Sequence, residues 1–86
     1  MPPLPRTASL SLQQAKPGET YLIHQISGDN HAALELTVLG LPVGRECRLM
    51  RRLPGGGVVV ARDNLRIALG PDLAETIAVL PLEPAQ

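Results

Sequence analysis

The chain has 86 residues, enough for one small domain, and its eight lysines and arginines balance eight aspartates and glutamates. Zero net charge argues against bulk electrostatic capture of nucleic acid or anionic membrane, and no stretch reaches the ~20 apolar residues that cross a bilayer. The single Cys47 cannot form an internal disulfide, and the first residues lack the pattern of a secretory signal peptide. We therefore expect a cytoplasmic protein whose core, without Phe or Trp, is aliphatic.

The N-terminal part predicts a tail, a short helical turn and a first strand. Residues 1–8 are rich in proline and lack periodicity, so we expect a flexible tail there. A helical turn is expected near residues 11–15, with Ser11 as its cap. Lys16-Pro17-Gly18-Glu19 is typical of a tight turn, and the apolar, β-prone residues 20–27 after it predict a strand.

One α-helix is expected over about residues 30–39. Asp29 or Asn30 can cap its start, and the i, i+4, i+7 spacing predicts a buried face made of Ala32, Leu36 and Leu39. Gly40 can adopt the left-handed conformation that ends a helix, and Pro42 stands where the helix must already be over. The helix is therefore predicted to stop sharply and turn into the next strand.

The second half predicts four strands joined by tight connections. They are expected at 46–52, 58–62, 65–69 and 76–80, with a hairpin loop at 54–57, a two-residue turn at Asp63-Asn64 and a helical turn near 71–75. Residues 82–86 are expected to be a tail, so the domain spans 9–81. Five short strands and one inserted helix favour a mostly β fold, a small five-stranded antiparallel barrel.

Three motifs taken together match a known family. They are Lys16-Pro17-Gly18-Glu19 after Leu12, the segment Leu36-Thr37-Val38-Leu39-Gly40-Leu41-Pro42-Val43-Gly44, and Leu65-Arg66-Ile67-Ala68-Leu69 before a helical turn and a strand at Ile77. From about Leu10 to Val79 the chain resembles the FeoA family, ferrous iron transport protein A. The middle segment is the distinctive part. The chain departs from the family at Ala32-Ala33-Leu34-Glu35, where the family's helix usually carries basic residues.

The resemblance implies a small SH3-like domain that serves as an accessory protein of bacterial ferrous iron uptake. The implied partner is the FeoB-type transporter with its cytoplasmic GTP-binding domain, so the protein would meet the membrane only through that partner. The same domain type occurs at the C-terminal end of metal-dependent repressors, which keeps a metal-responsive regulatory role open.

The sequence offers no candidate catalytic group and no required cofactor. The serines, Thr37 and Cys47 stand in no context that would activate a nucleophile, and Cys47 lies on an apolar strand where cysteine is usually a small core residue. The glycines at 55–57 lack the Gly-Lys-Ser/Thr ending of a phosphate-binding loop. We therefore do not expect an enzyme.

The predicted helix carries a candidate metal site. His31 and Glu35 are spaced i, i+4 and project from one face, with Asp29 close by. Two or three ligands make an open surface site for Zn²⁺ or Fe²⁺, and such a site can bridge two copies into a homodimer. The alternative, which we favour, is a solvated helix start.

The segment 45–66 is the basic part of the chain, with six arginines against two acidic residues. A docking surface for an acidic partner is one interpretation, and a solvated outer face of the barrel is the other. For docking we single out Arg48, Arg51 and Arg52, with Leu34 and Leu41 as exposed apolar anchors. A nucleic-acid-binding barrel is a further alternative, but we do not expect it because Tyr21 is the only aromatic available for stacking.

Overall fold

The computed structural model describes residues 9–28 and 30–82, which form a mostly β fold. The elements follow in the order β1 (Leu10–Ser11), β2 (Thr20–Ile26), α1 (Asn30–Val38), β3 (Glu46–Arg52), β4 (Val58–Arg62), β5 (Leu65–Leu69), α2 (Pro71–Thr76) and β6 (Ile77–Pro81). The six strands form one antiparallel sheet in the order β1-β6-β2-β3-β4-β5. The predicted fold class is confirmed, with one strand more than the five expected.

The additional strand is β1, which lies at the start of the predicted helical turn and overlaps it at Ser11. Leu10 and Ser11 pair with Val79 and Ala78 of β6, and a three-residue 3₁₀ turn, Leu12–Gln14, follows at once. Ser11 caps this turn as predicted, because its Oγ accepts a hydrogen bond from the Gln13 N–H at 3.2 Å. The predicted tail at 1–8, the predicted cap at Asp29 and residues 83–86 lie outside the described residues.

Helix α1 ends in a Schellman motif, for which Gly40 is required. The Gly40 N–H donates to the Thr37 carbonyl at 3.0 Å, and the Leu41 N–H donates to the Leu36 carbonyl at 2.8 Å. Gly40 has a φ of 80°, a backbone conformation that residues with a side chain rarely adopt. In this motif the residue after the glycine turns back onto the helix, which brings Leu41 against Leu36 in the core.

The prediction that Leu41 is exposed is therefore wrong. Its side chain is 1% exposed and belongs to the core, because the Schellman geometry folds it under the helix. Of the predicted buried face of α1, Leu36 is fully buried, Leu39 packs against the core and Ala32 is half-buried.

The core is aliphatic, with one tyrosine, and draws on every strand of the sheet except β1, whose Leu10 packs against it. Alternate residues of β3 and β4 point into it, Cys47 and Leu49 on one strand and Val58 and Val60 on the other. The residues between them point outward, and this alternation creates the outer face of β3, β4 and β5. A register shift between Leu49 and Arg51 marks a bulge in β3.

Candidate partner-binding surface

The outer face of β3, β4 and β5 carries a groove between arginine side chains. The register pairs Arg48 with Ala61 and Ala61 with Arg66, so these residues form a row across the three strands. Residues paired across antiparallel strands point to the same face, and the small Ala61 leaves a low floor between two long side chains. The groove has a volume of about 430 Å³, and the other residues that line it are Met50, Asp63, Asn64 and Leu65.

Four arginines of β3 and β5 have no carboxylate partner within the described part of the chain. The ion pairs found there are Arg45–Asp63 and Arg62–Asp63. The unpaired arginines are all exposed, and they are Arg48, Arg51, Arg52 and Arg66. A guanidinium group without an internal partner keeps its planar set of donors available for a carboxylate on another molecule.

An ion-paired corner closes one end of the groove. The Asp63 carboxylate accepts hydrogen bonds from Arg45 at 2.5 Å and from Arg62 at 3.0 Å. The Arg62 guanidinium packs on Gly40, and its Nε is buried without a hydrogen-bond partner. These contacts hold the α1–β3 turn against the β4–β5 turn. Two arginines neutralise the charge of Asp63, so this carboxylate does not cancel the positive potential of the groove.

The predicted docking residues do not form one patch. Arg48, Arg51 and Arg52 are exposed on β3, as expected, and Leu34 is 63% exposed on α1. However, α1 leads into the start of β3, and Arg52 ends that seven-residue strand, about 20 Å further on at ~3.3 Å per residue. Leu34 therefore lies near the opposite end of β3 from Arg52, and the buried Leu41 contributes nothing to the surface.

Sequence reasoning missed several surface residues. Arg66 was counted among the basic residues but not placed in the site, although the alternation of β5 puts it on the outer face. Three large apolar side chains were also missed: Val38 on α1, Val43 in the following turn and Leu65 on β5, exposed by 79%, 56% and 53%. Helical spacing was a usable signal for Val38, which follows Leu34 by four residues.

The predicted metal ligands are only partly placed. His31 and Glu35 are exposed on α1, and Asp29 lies outside the described residues. Within residues 9–28 and 30–82 no three His, Cys, Asp or Glu side chains gather closely enough to hold a metal ion. Of the predicted site, the described structure therefore offers two donors, His31 and Glu35, which falls short of the four ligands that zinc takes.

Two buried groups in the described part of the chain have a raised pKa. Burial raises the pKa of the Cys47 thiol from 9.0 to about 11, so at neutral pH this core thiol is protonated and a poor nucleophile. Burial also raises the pKa of Tyr21, and the Glu19 carboxylate adds to the effect. The Tyr21 hydroxyl accepts from the Lys16 N–H at 2.8 Å and donates to Glu19 at 2.9 Å, which fixes the turn before β2.

The sheet order, the inserted helix and the solvent-facing groove define a small SH3-like barrel with a basic outer face. The chain belongs to the FeoA domain family, which matches residues 10–81. FeoA domains are small accessory domains of ferrous iron transport systems. Among the described residues no helix has the length and apolar character needed to span a membrane. A search among curated proteins found no match.

Solved structures include similar folds in two kinds of protein. A crystal structure of an iron uptake regulatory protein (FeoA) is 25% identical, with a TM-score of 0.79, over 87% of this chain and 100% of that chain. The FeoA protein of Chlorobium tepidum is 22% identical, with a TM-score of 0.75, over 90% of this chain and 74% of that chain. A manganese-dependent transcriptional repressor is 26% identical, with a TM-score of 0.79, over 93% of this chain but only 44% of its own.

Proposed function

We propose that the protein is a cytosolic accessory component of bacterial ferrous iron uptake that binds the cytoplasmic region of a FeoB-type transporter. Membership of the FeoA family supports a place in ferrous iron uptake. The similarity to an iron uptake regulatory protein supports a regulatory role in that uptake. The observation that carries the binding role is the set of exposed, unpaired arginines on β3 and β5.

The arginine surface favours an acidic protein partner. Exposed guanidinium groups without internal carboxylates form bidentate hydrogen bonds with carboxylates and steer the encounter with a negatively charged surface. The Ala61 floor lets a partner side chain lie between Arg48 and Arg66 instead of resting on their tips. The protein would therefore recognise the partner's acidic patch by its shape as well as by its charge.

Recognition of nucleic acid is less well supported by the structure. Barrels that bind single strands stack bases on exposed aromatic side chains. Tyr21 is the only aromatic residue of the chain, and it is buried with its hydroxyl engaged by Lys16 and Glu19. The arginines alone would give salt-sensitive binding without stacking.

Binding to the transporter's isolated GTP-binding domain tests the proposal. Immobilised domain should retain the wild-type protein, and the triple variant Arg48→Ala, Arg51→Ala, Arg52→Ala should bind about a hundredfold or more weakly, since each of the three lost charge-assisted contacts costs about 1 kcal/mol or more. Lys16→Ala removes an exposed charge from the turn before β2 and serves as the control. Absence of wild-type binding, or equal binding of the triple variant, would contradict the proposal.

A further inference from the structure

We infer that the free edge of β5 is a strand-addition site for an extended acidic segment of a partner protein. The inference rests on the proposed function for the source of that segment, and it specifies how the segment is held. Its backbone would pair with β5, and an acidic side chain would stand opposite Arg66.

The backbone of β5 offers unused hydrogen-bonding groups. Among the described residues, β5 is the last strand of the sheet and pairs only with β4. Arg62 and Leu65 flank the two-residue turn and exchange hydrogen bonds, as do Val60 with Ile67 and Val58 with Leu69, because bonded and non-bonded pairs alternate. The N–H and C=O groups of Arg66 and Ala68 therefore point away from β4.

This edge lacks the features that normally block pairing with another chain. Its five residues contain no proline, and its register with β4 continues without a bulge. Its one charged residue is Arg66, and the side chain of Leu65 is 53% exposed. By contrast β1, at the other end of the sheet, has two residues.

The charges beside the edge select an acidic occupant. A residue directly opposite Arg66 on an added strand would have its Cβ about 5 Å away, close enough for a carboxylate to pair with the guanidinium. Arg48 stands two strands further in, about 10 Å from Arg66 between Cα atoms, and adds positive potential along the groove. Both guanidinium groups lack a carboxylate partner in the described chain.

A second copy of this chain fits the edge less well. Two β5 edges paired about a twofold axis would place both Arg66 side chains and both basic grooves side by side on one continuous face. Like charges this close on neighbouring strands oppose pairing. The occupant is therefore assigned as an extended acidic segment of a different protein.

A synthetic peptide tests the inference independently of the transporter. The probe is the extended sequence Thr-Val-Glu-Val-Glu-Val-Thr, and its twin carries lysine in place of glutamate. Amide hydrogen exchange measured by NMR should slow at Arg66 and Ala68 when the acidic peptide is added, and should not change with the lysine twin. No slowing at either amide at ~1 mM acidic peptide would overturn the inference.

Two variants separate backbone pairing from charge. Ala68→Pro removes an outward N–H without removing a charge and leaves the bonds to β4, so we expect about tenfold weaker peptide binding. Arg66→Glu should reverse the preference, so that the lysine twin binds better than the acidic peptide. Lys16→Glu makes the same charge change elsewhere and should leave the affinity unchanged. Equal affinity of Ala68→Pro and wild type would overturn the inference.

The same variants distinguish failure of this inference from failure of the proposed function. If the transporter's GTP-binding domain binds Ala68→Pro as well as wild type, the edge inference is overturned while the proposed function holds. If the acidic peptide binds as expected while that domain does not bind at all, the edge inference is supported and the proposed function fails. Slow exchange at Arg66 and Ala68 that appears without peptide and disappears on dilution would show self-pairing and overturn the assignment of the occupant.

Discussion

The guanidinium group of Arg62 lies on the backbone of Gly40. A Cβ at Gly40 would stand 2.6 Å from Arg62 Nε and 2.7 Å from its Cζ, so a side chain here would have to displace this guanidinium group, and the φ of 80° disfavours a side chain as well. The same arginine donates to Asp63 at 3.0 Å. The end of α1 and the β4–β5 turn are thereby joined through one side chain.

Replacement of Gly40 by alanine should destabilise the fold more than a matched change at Gly44. Both glycines have φ near 80–95°, so each alanine suffers about 1–2 kcal/mol of left-handed strain. A Cβ at Gly44 meets nothing within 4 Å, whereas one at Gly40 displaces Arg62. Urea unfolding should show the larger loss of unfolding free energy for Gly40→Ala. Equal losses would mean that Arg62 moves aside without cost.

Truncation of Leu41 and Leu34 should separate a core residue from a surface residue. Leu41→Ala empties space beneath α1 and should lower the free energy of unfolding by about 2–5 kcal/mol. Leu34→Ala removes a side chain that is 63% exposed and should change the free energy of unfolding by no more than about 0.5 kcal/mol. Thermal and urea unfolding of both variants check this. A small effect at Leu41 would contradict the Schellman ending of the helix.

Stability should fall at high pH because of Cys47. Burial raises the pKa of its thiol from 9.0 to about 11, so the folded protein keeps a proton that the unfolded chain releases. The contribution of the buried thiol to the free energy of unfolding is fully present below pH 9. It is lost as the pH rises to about 11, at up to about 1.4 kcal/mol per pH unit. Urea unfolding from pH 7 to 11 should show the stability difference between wild type and Cys47→Ala shrinking. A constant difference would show that the thiol does not titrate with folding.

Zinc, where it binds through His31 and Glu35, should act as a bridge between two copies. At this site one copy presents two exposed donors, His31 and Glu35, and zinc takes four ligands. Where zinc dimerises the wild type in light scattering, His31→Ala should abolish the dimer, and Glu46→Ala, which removes an exposed carboxylate on β3, should leave it unchanged as the control. An unchanged zinc response in His31→Ala would exclude this site.

Most of the fold follows from local signals that the sequence carries plainly. Gly40 and Pro42 mark the end of α1, the alternation of 65–69 marks β5, and Asp63-Asn64 marks the turn before it. Each of these rests on the conformational limits of one or two residues, so it can be recognised without knowledge of the tertiary structure.

The errors arose where local patterns end. Leu41 lies beyond the helix, where helical spacing no longer indicates which way a side chain points, and only the capping geometry shows that it is buried. Strand β1 has two residues and exists because β6 is beside it, which is a long-range pairing. The free edge of β5 depends on the strand order of the whole sheet, and no local pattern reports that order.

The pairing of β1 with β6 has a consequence for protein architecture. Leu10 lies opposite Val79, so the first and last strands of the domain are neighbours, and the chain enters and leaves at one side. A domain built this way can be fused behind another module, or placed within a loop, without stretching either connection. It also makes the fold suited to circular permutation, with new ends opened between Pro54 and Gly55, which are both exposed.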